Sequence, residues 1–163
     1  MAAPTLDLLR QRFASAARDV AVSHGVFVVA IDGAALAGVV AQLKSEFGFD
    51  LFLDVTAVDW PQQVPRFEVV YHFYSTEHHV RIRLKTRVPA TDPAVDSLTP
   101  LYGSAYFMER ECHDMYGIVF RGNHDLRPIL LYEGFVGHPL RKDYPKQQEQ
   151  PLVPYRRGTA DAR

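Results

Sequence analysis

Two neighbouring segments alternate apolar and polar residues with a period of two, and together they fix a β-hairpin. In residues 66–74 Val69, Tyr71 and Phe73 fall on one face; in residues 79–86 Val80, Ile82 and Leu84 do. Such alternation marks strands with one face against a core. Pairing Phe73 with Val80, Tyr71 with Ile82 and Val69 with Leu84 lays apolar on apolar. The opposite face then brings Glu68 to Lys85 and His72 to Arg81, with the loop at residues 75–78. A slip of one residue would turn both apolar rows into water, so a sheet with a buried face is built into this region. A further strand is expected upstream over residues 50–59, closed by Trp60, Pro61 and Pro65.

The flanking sequence supplies cover for that sheet. Leu6, Leu9, Phe13, Ala17 and Val20 follow helical spacing and predict a helix over residues 5–19. Residues 24–31 are apolar on both faces, as in a covered or central strand. Asp32 is placed to cap a second helix, whose stripe is Leu36, Val39, Val40, Leu43 and Phe47 and whose stop is Gly48. Asp92 followed by Pro93 predicts a short helix to Leu101. Ser104 can cap another over residues 105–116, ended by Gly117. The expected fold class is α+β: helices packed on a mixed or antiparallel β-sheet over residues 1–120, followed by a long irregular C-terminal extension over residues 121–163.

That extension has its own character. It holds five of the eleven prolines together with Gly122, Gly134, Gly137 and Gly158, which excludes long regular elements. Yet Leu126, Ile129, Leu130, Leu131, Tyr132, Phe135, Leu140 and Tyr144 are too apolar for a solvated tail. Its eight Lys and Arg against five Asp and Glu give +3, on a chain of net charge -1. The segment is expected to wrap a partner. Leu140 and Tyr144 would lie in the apolar part of that contact, with Arg141, Lys142 and Asp143 at its rim.

Chemistry of the usual kinds finds little footing. The chain has 163 residues and one cysteine, Cys112, so it can form neither an internal disulfide nor a cysteine-ligated cluster. A near-neutral charge argues against a general nucleic-acid binder; Arg81, Arg83 and Lys85 on one strand face read as a solvated or partner-facing surface. No phosphate loop, dinucleotide fingerprint, nucleophile elbow or zinc-protease motif occurs. The longest apolar run, at residues 26–31, is six, far short of a membrane span. Asp7 and Asp19 argue against reading the N-terminal arginines as a transit peptide. Glu109, Glu111, Cys112, His113 and Asp114 are crowded but do not converge on a helix. Glu109–His113 and Arg110–Asp114 pairs at i, i+4 are expected instead. A triad of Ser104, His113 and Asp114 lacks a strained nucleophile turn. A free-standing small enzyme built on His113 and its carboxylates, and a basic-faced nucleic-acid module, remain as competing classes.

Two separated blocks carry a resemblance. They are Glu109-Arg110-Glu111-Cys112-His113-Asp114-Met115-Tyr116-Gly117, and Asp125-Leu126-Arg127-Pro128-Ile129-Leu130 followed by Gly134-Phe135-Val136-Gly137-His138-Pro139-Leu140-Arg141-Lys142-Asp143-Tyr144-Pro145. In this order they are similar to the 30-kDa subunit family of respiratory complex I, the proton-translocating NADH:quinone oxidoreductase. His113 departs from the aromatic residue many members carry there. The resemblance implies a cofactor-free subunit of the peripheral arm, packed on the large quinone-site subunit, with FMN and iron–sulfur clusters in partner subunits. NADH and quinone would be bound by those partners, and the translocase activity would belong to the whole assembly. It implies membrane association through the complex, on the cytoplasmic side of a bacterial inner membrane; Met1 just before the first helix is read as favouring a bacterial chain. Glu109, Arg110, Glu111, Asp114, Arg127, Phe135, Gly137, His138, Pro139, Leu140, Arg141, Lys142, Asp143 and Tyr144 are expected at the subunit interface. The alternative is a homologous subunit of a related assembly: the plastoquinone-reducing complex, F420H2 dehydrogenase or a membrane-bound hydrogenase.

Overall fold

The structure, a computed structural model, describes residues 3–147 and residue 150. In chain order its first elements are α1 (Leu6–Arg12), β1 (Ala17–Ser23), β2 (Val26–Ile31), a 3-10 turn at Gly33–Ala35, α2 (Leu36–Phe47) and β3 (Leu51–Asp59). They are followed by β4 (Phe67–Ser75), β5 (Val80–Val88), β6 (Ala94–Asp96), α3 (Ala105–Tyr116) and β7 (Val119–Arg121).

The expected hairpin is β4 and β5. Its register is two residues from the predicted one: Phe73 faces Ile82, Tyr71 faces Leu84 and Glu68 faces Arg87. An even slip leaves every side chain on its expected face. The turn sets the true register. His79 takes a left-handed φ of 55° and donates its N–H to the Ser75 carbonyl at 2.9 Å. The Asp50 carboxylate accepts from the Thr76 N–H and hydroxyl at 2.9 and 2.5 Å. The loop therefore occupies residues 76–79, and Phe67 reaches Val88 to complete a nine-residue ladder.

The five-stranded sheet runs β1-β2-β5-β4-β3. It is antiparallel except where β2 lies parallel to β5. The fold is thus α+β with a mixed sheet. Leu9 and Phe13 from the α1 region, the α2 stripe, and Ala105 and Cys112 of α3 share one core with Val29, Ile31, Tyr71, Phe73, Ile82 and Leu84. All three helices therefore lie on one side of the sheet, and its other face has no helix over it among the described residues.

Further expectations are corrected, and Ser104, like Asp32, makes no side-chain cap. The first helix stops at Arg12, and residues 17–23 form an edge strand that pairs antiparallel with β2. Leu9 and Phe13 keep helical burial, whereas Val20 is buried as a strand residue opposite Val29. Asp32 makes no side-chain cap; it forms an ion pair with Arg18. The segment after Asp92-Pro93 is a strand, β6, held parallel to β7 from 25 residues further on (Ala94 against Val119). The stripe of α2 is buried as predicted, and Gly48 ends the helix at φ 69°.

Leu43 is fully buried on α2. Leu43→Ala is expected to lower the unfolding free energy by about 3 kcal/mol, the usual cost of such a core truncation. Equilibrium urea unfolding of the full chain checks this, and a loss under about 1 kcal/mol would contradict the packing described.

Candidate assembly interface

α3 carries two buried carboxylates, and both are satisfied within the chain. Glu109 accepts from the Leu98 N–H at 2.7 Å, the Ser97 hydroxyl at 2.8 Å and the Asn123 amide at 2.9 Å. Asp114 turns to the opposite end of the helix. One of its oxygens accepts the N–H groups of Ile129, Leu130 and Leu131 at 2.8, 2.9 and 3.3 Å. Arg110 completes the grip on that turn, donating to the carbonyls of Arg127 and Pro128, both at 2.9 Å. The expected Glu109–His113 and Arg110–Asp114 pairs are absent. A buried carboxylate is better stabilised by several converging N–H donors than by one exposed cation.

The second block of the sequence caps the same helix. The last four carbonyls of a helix lack intrahelical partners. Here the His113 carbonyl accepts from the Gly117 N–H at 2.7 Å and the Met115 carbonyl from the Leu140 N–H at 3.1 Å. The Asp114 carbonyl takes the His138 ring at 2.9 Å, and the Tyr116 carbonyl takes Arg141 Nε at 2.6 Å. Three of the four partners come from the stretch between His138 and Arg141. The Arg141 charge also suits the negative end of the helix. Gly117 makes this possible: its φ is 72°, and a Cβ there would collide with the His138 ring and the Arg141 guanidinium.

A third anchor ties the extension to the sheet. Asp59, at the end of β3, accepts both Nε and Nη2 of Arg66 at 2.7 Å and the Lys142 N–H at 2.8 Å. Arg66 also donates to Asp143 at 2.8 Å. Hydrogen bonds from Arg66 hold both carboxyls below the usual carboxylate range. Arg66 and Arg141 both lie over the Phe67 ring, at 4.9 and 5.0 Å. Arg127 is bound to Asp125, which also accepts from the Tyr106 hydroxyl at 2.6 Å.

While several of its polar groups turn inward, the extension directs part of its apolar side chains outward. Leu130 is 60% exposed, Val136 68% and Leu140 48%, and Phe107 on the outer side of α3 is 58% exposed. Ile129 and Tyr132 are also exposed. Phe135 stacks on Tyr144 at 6.1 Å, and Gly137, at φ 94°, lets the Tyr144 ring approach. Between helix and extension lies a cavity of about 150 Å³ lined by His113, Asp114, Leu131, Phe135 and His138.

Several sequence-predicted site residues thus come together, with their hydrogen bonds running inside the chain. Glu109, Arg110, Asp114, His138, Arg141, Asp143 and the Lys142 backbone act as anchors within the chain. Glu111 and the Lys142 side chain face solvent, and Pro139 is half-buried. Asp59, Arg66, Ser97 and Asn123 complete the site and carry no local signal for it, whereas Gly117 is the helix stop that the sequence predicts. Ser104 and His113 bond to the carbonyls of Phe52 and Ile118, so no triad with Asp114 forms. No group of three or more His, Cys, Asp or Glu able to hold a metal occurs among the described residues. Burial raises Glu109 above the usual carboxyl value and lifts the Cys112 thiol far above its ordinary range, which leaves Cys112 inert as a nucleophile.

The sequence profile of the respiratory-chain NADH dehydrogenase 30-kDa subunit matches residues 29–150. The chain belongs to this 30-kDa subunit family. The NADH-quinone oxidoreductase C-type subunit of Citrifermentans bemidjiense is 42% identical over 139 residues, 85% of this chain and 86% of that protein. Its counterpart of the same name in Methylorubrum populi is 40% identical over 132 residues, 80% of this chain and 60% of that longer protein. Among solved structures, a trypsin-resistant fragment of Nqo5 superposes with a TM-score of 0.66 at 29% identity, over 74% of this chain and 96% of the fragment. A chain of the archaeal membrane-bound sulfane sulfur reductase superposes with a TM-score of 0.76 at 26% identity, over 86% and 84%. Both 30-kDa family blocks, at α3 and at 125–145, fall inside the matched region, where they form one hydrogen-bonded unit.

Asp114→Ala leaves three N–H groups of this unit without their acceptor and is expected to cost about 2–3 kcal/mol. Amide exchange should quicken at residues 129–131 well before it does in β4; unchanged exchange there would refute the anchor. Asp59 and Asp143 have lowered pKa values, so their contribution to stability is fully present above the ordinary carboxylate value and is lost as pH falls through the lowered one. Protection of the Lys142 amide should therefore disappear on acidification below about pH 4, and Asp59→Asn should remove most of that pH dependence.

Proposed function

We propose that this chain is a cofactor-free structural subunit of the peripheral arm of a bacterial proton-translocating NADH:quinone oxidoreductase. The family match over residues 29–150 carries the reading. In it, NADH, FMN, the iron–sulfur clusters and quinone belong to partner subunits, and this chain braces the large quinone-site subunit. The exposed apolar side chains of Phe107, Leu130, Val136 and Leu140 support that role, because apolar side chains held outward suit a buried protein contact. Cys112 alone cannot ligate a cluster, which supports electron transfer through partners. No helix among the described residues is long and apolar enough to cross a membrane; attachment at the cytoplasmic face would come through the assembly.

A related assembly is the second reading. The sulfane sulfur reductase chain superposes over 86% of this chain, so the scaffold serves more than one respiratory complex. The discriminating observation is whether NADH reduces the flavin of the assembly that co-purifies with this chain.

Purified alone and without added flavin, the chain is expected to oxidise no NADH; measurable turnover would sink the subunit reading. Arg110→Ala frees the carbonyls of Arg127 and Pro128 and should lower the yield of assembled complex several-fold. Turnover per assembled complex should stay near the wild-type value, and native gels paired with NADH:quinone assays measure both. Normal assembly with turnover abolished would move Arg110 to the chemistry.

A further inference from the structure

We propose that the uncovered face of the five-stranded sheet docks an acidic polypeptide segment of a partner subunit, with a carboxylate seated on Arg83 and Arg81. The proposal rests on the reading of the chain as a subunit, and it concerns the side of the sheet opposite the extension.

β5 turns Ile82, Leu84 and Thr86 into the core and Arg81, Arg83, Lys85 and Arg87 outward. Alternate residues of a strand stand roughly 6.5 Å apart, so four cations form one row. Half of the row is compensated. Glu68 of β4 holds Lys85 at 2.9 Å and Arg87 at 3.2 Å. Arg87 also donates to Gln63 and to the Pro65 carbonyl.

The other half has no such partner among the described residues. Arg81 stands opposite Tyr74 on β4; Arg83 stands opposite His72, with Val28 of β2 on its other side. Burial and the two arginines hold His72 below the usual histidine range, and an imidazole, neutral or protonated, offers an arginine no counter-charge. On this face Asp54 stands on β3, one strand further away, opposite His72. Arg83 Nε is screened from solvent and has no hydrogen-bond acceptor. A buried donor left unpaired is costly, more so when charged. An acceptor arriving from outside removes that cost, and a carboxylate matches the guanidinium fork. The occupant's chemistry is narrowed by Glu68 and Asp54 on the same face. They would repel a continuous anionic surface such as a lipid leaflet or a nucleic-acid backbone, but leave room for discrete carboxylates on a peptide.

The test uses the assembled complex. Arg81→Gln with Arg83→Gln should weaken retention of this subunit about tenfold, read as release at lower salt. Arg83→Lys should fall between, since it keeps the charge and loses the Nε donor. Thermal unfolding of each free variant near the wild-type midpoint shows that the fold is kept. Independently, a zero-length carboxylate–amine coupling on the complex carrying Arg81→Lys should join the introduced amine to an Asp or Glu of another subunit. Coupling only to Glu68 or Asp54 of this chain, or unchanged release of the double variant, overturns the proposal. So does binding of the free chain to phosphatidylglycerol vesicles that the double variant loses, which would assign the face to lipid. If the wild-type chain brings no flavin and iron–sulfur partners with it, the subunit reading itself fails; if it does and the variants behave as wild type, only the docking proposal does.

Discussion

The four carbonyls at the end of α3 govern how residues 127–141 are held. A helix leaves its last four carbonyls without intrahelical donors, and a left-handed glycine cap such as Gly117 satisfies only part of them. Here His138, Leu140 and Arg141 supply three, while Asp114 and Arg110 of the same helix hold the backbone of residues 127–131. The exchange is reciprocal. The helix gives the extension acceptors and donors for a backbone that has no ladder of its own, and the extension gives the helix its cap. Gly117 is where the two meet, and any side chain there would push them apart.

This reciprocity explains why two separated blocks read as one signature while the reason for it stayed hidden. The acidic density of α3 is plain in the sequence, and i, i+4 spacing offers obvious pairs. Those pairs do not form, because Glu109 has partners 11, 12 and 14 residues away and Asp114 has partners 15 to 17 away. Periodicity reports which face of an element is apolar. It says nothing about which distant backbone a buried carboxylate will collect. The hairpin shows the same boundary from the other side. Faces followed from alternation, but register followed from a turn in which His79 adopts a left-handed φ. Likewise Val20 falls on a helical stripe by its spacing, and only the pairing with Val29 makes it a strand residue.

The inward use of polar groups has an outward consequence. In a free-standing domain, apolar side chains of an irregular segment fold under and polar ones face water. In residues 125–145 that order is partly reversed: backbone N–H groups, His138 and Arg141 are locked against α3 and β3, while Leu130, Val136 and Leu140 face out. The polar anchors thereby do the ordering before any partner arrives. Fixing a residue's backbone costs roughly 1–2 kcal/mol. A segment already ordered brings its apolar area to a contact, at about 25 cal/mol per Å², without that cost set against it.

As the two contact surfaces proposed above, the two sides of the sheet act by different physics. The helix side, with its exposed apolar side chains, supplies non-directional adhesion whose strength appears mainly in the dissociation rate. The open side, with Arg81 and Arg83 lacking counter-charges, supplies a directional and salt-sensitive interaction that steers encounter and orientation more than it adds affinity. Neither surface alone fixes a subunit of this size in a larger assembly: an apolar patch tolerates rotation, and a single ion cluster tolerates tilt. Placed on opposite faces of one rigid sheet, they constrain each other. Because β5 carries the arginines on one face while Ile82 and Leu84 seat the helices on the other, a shift in the register of that strand by one residue would destroy both surfaces at once.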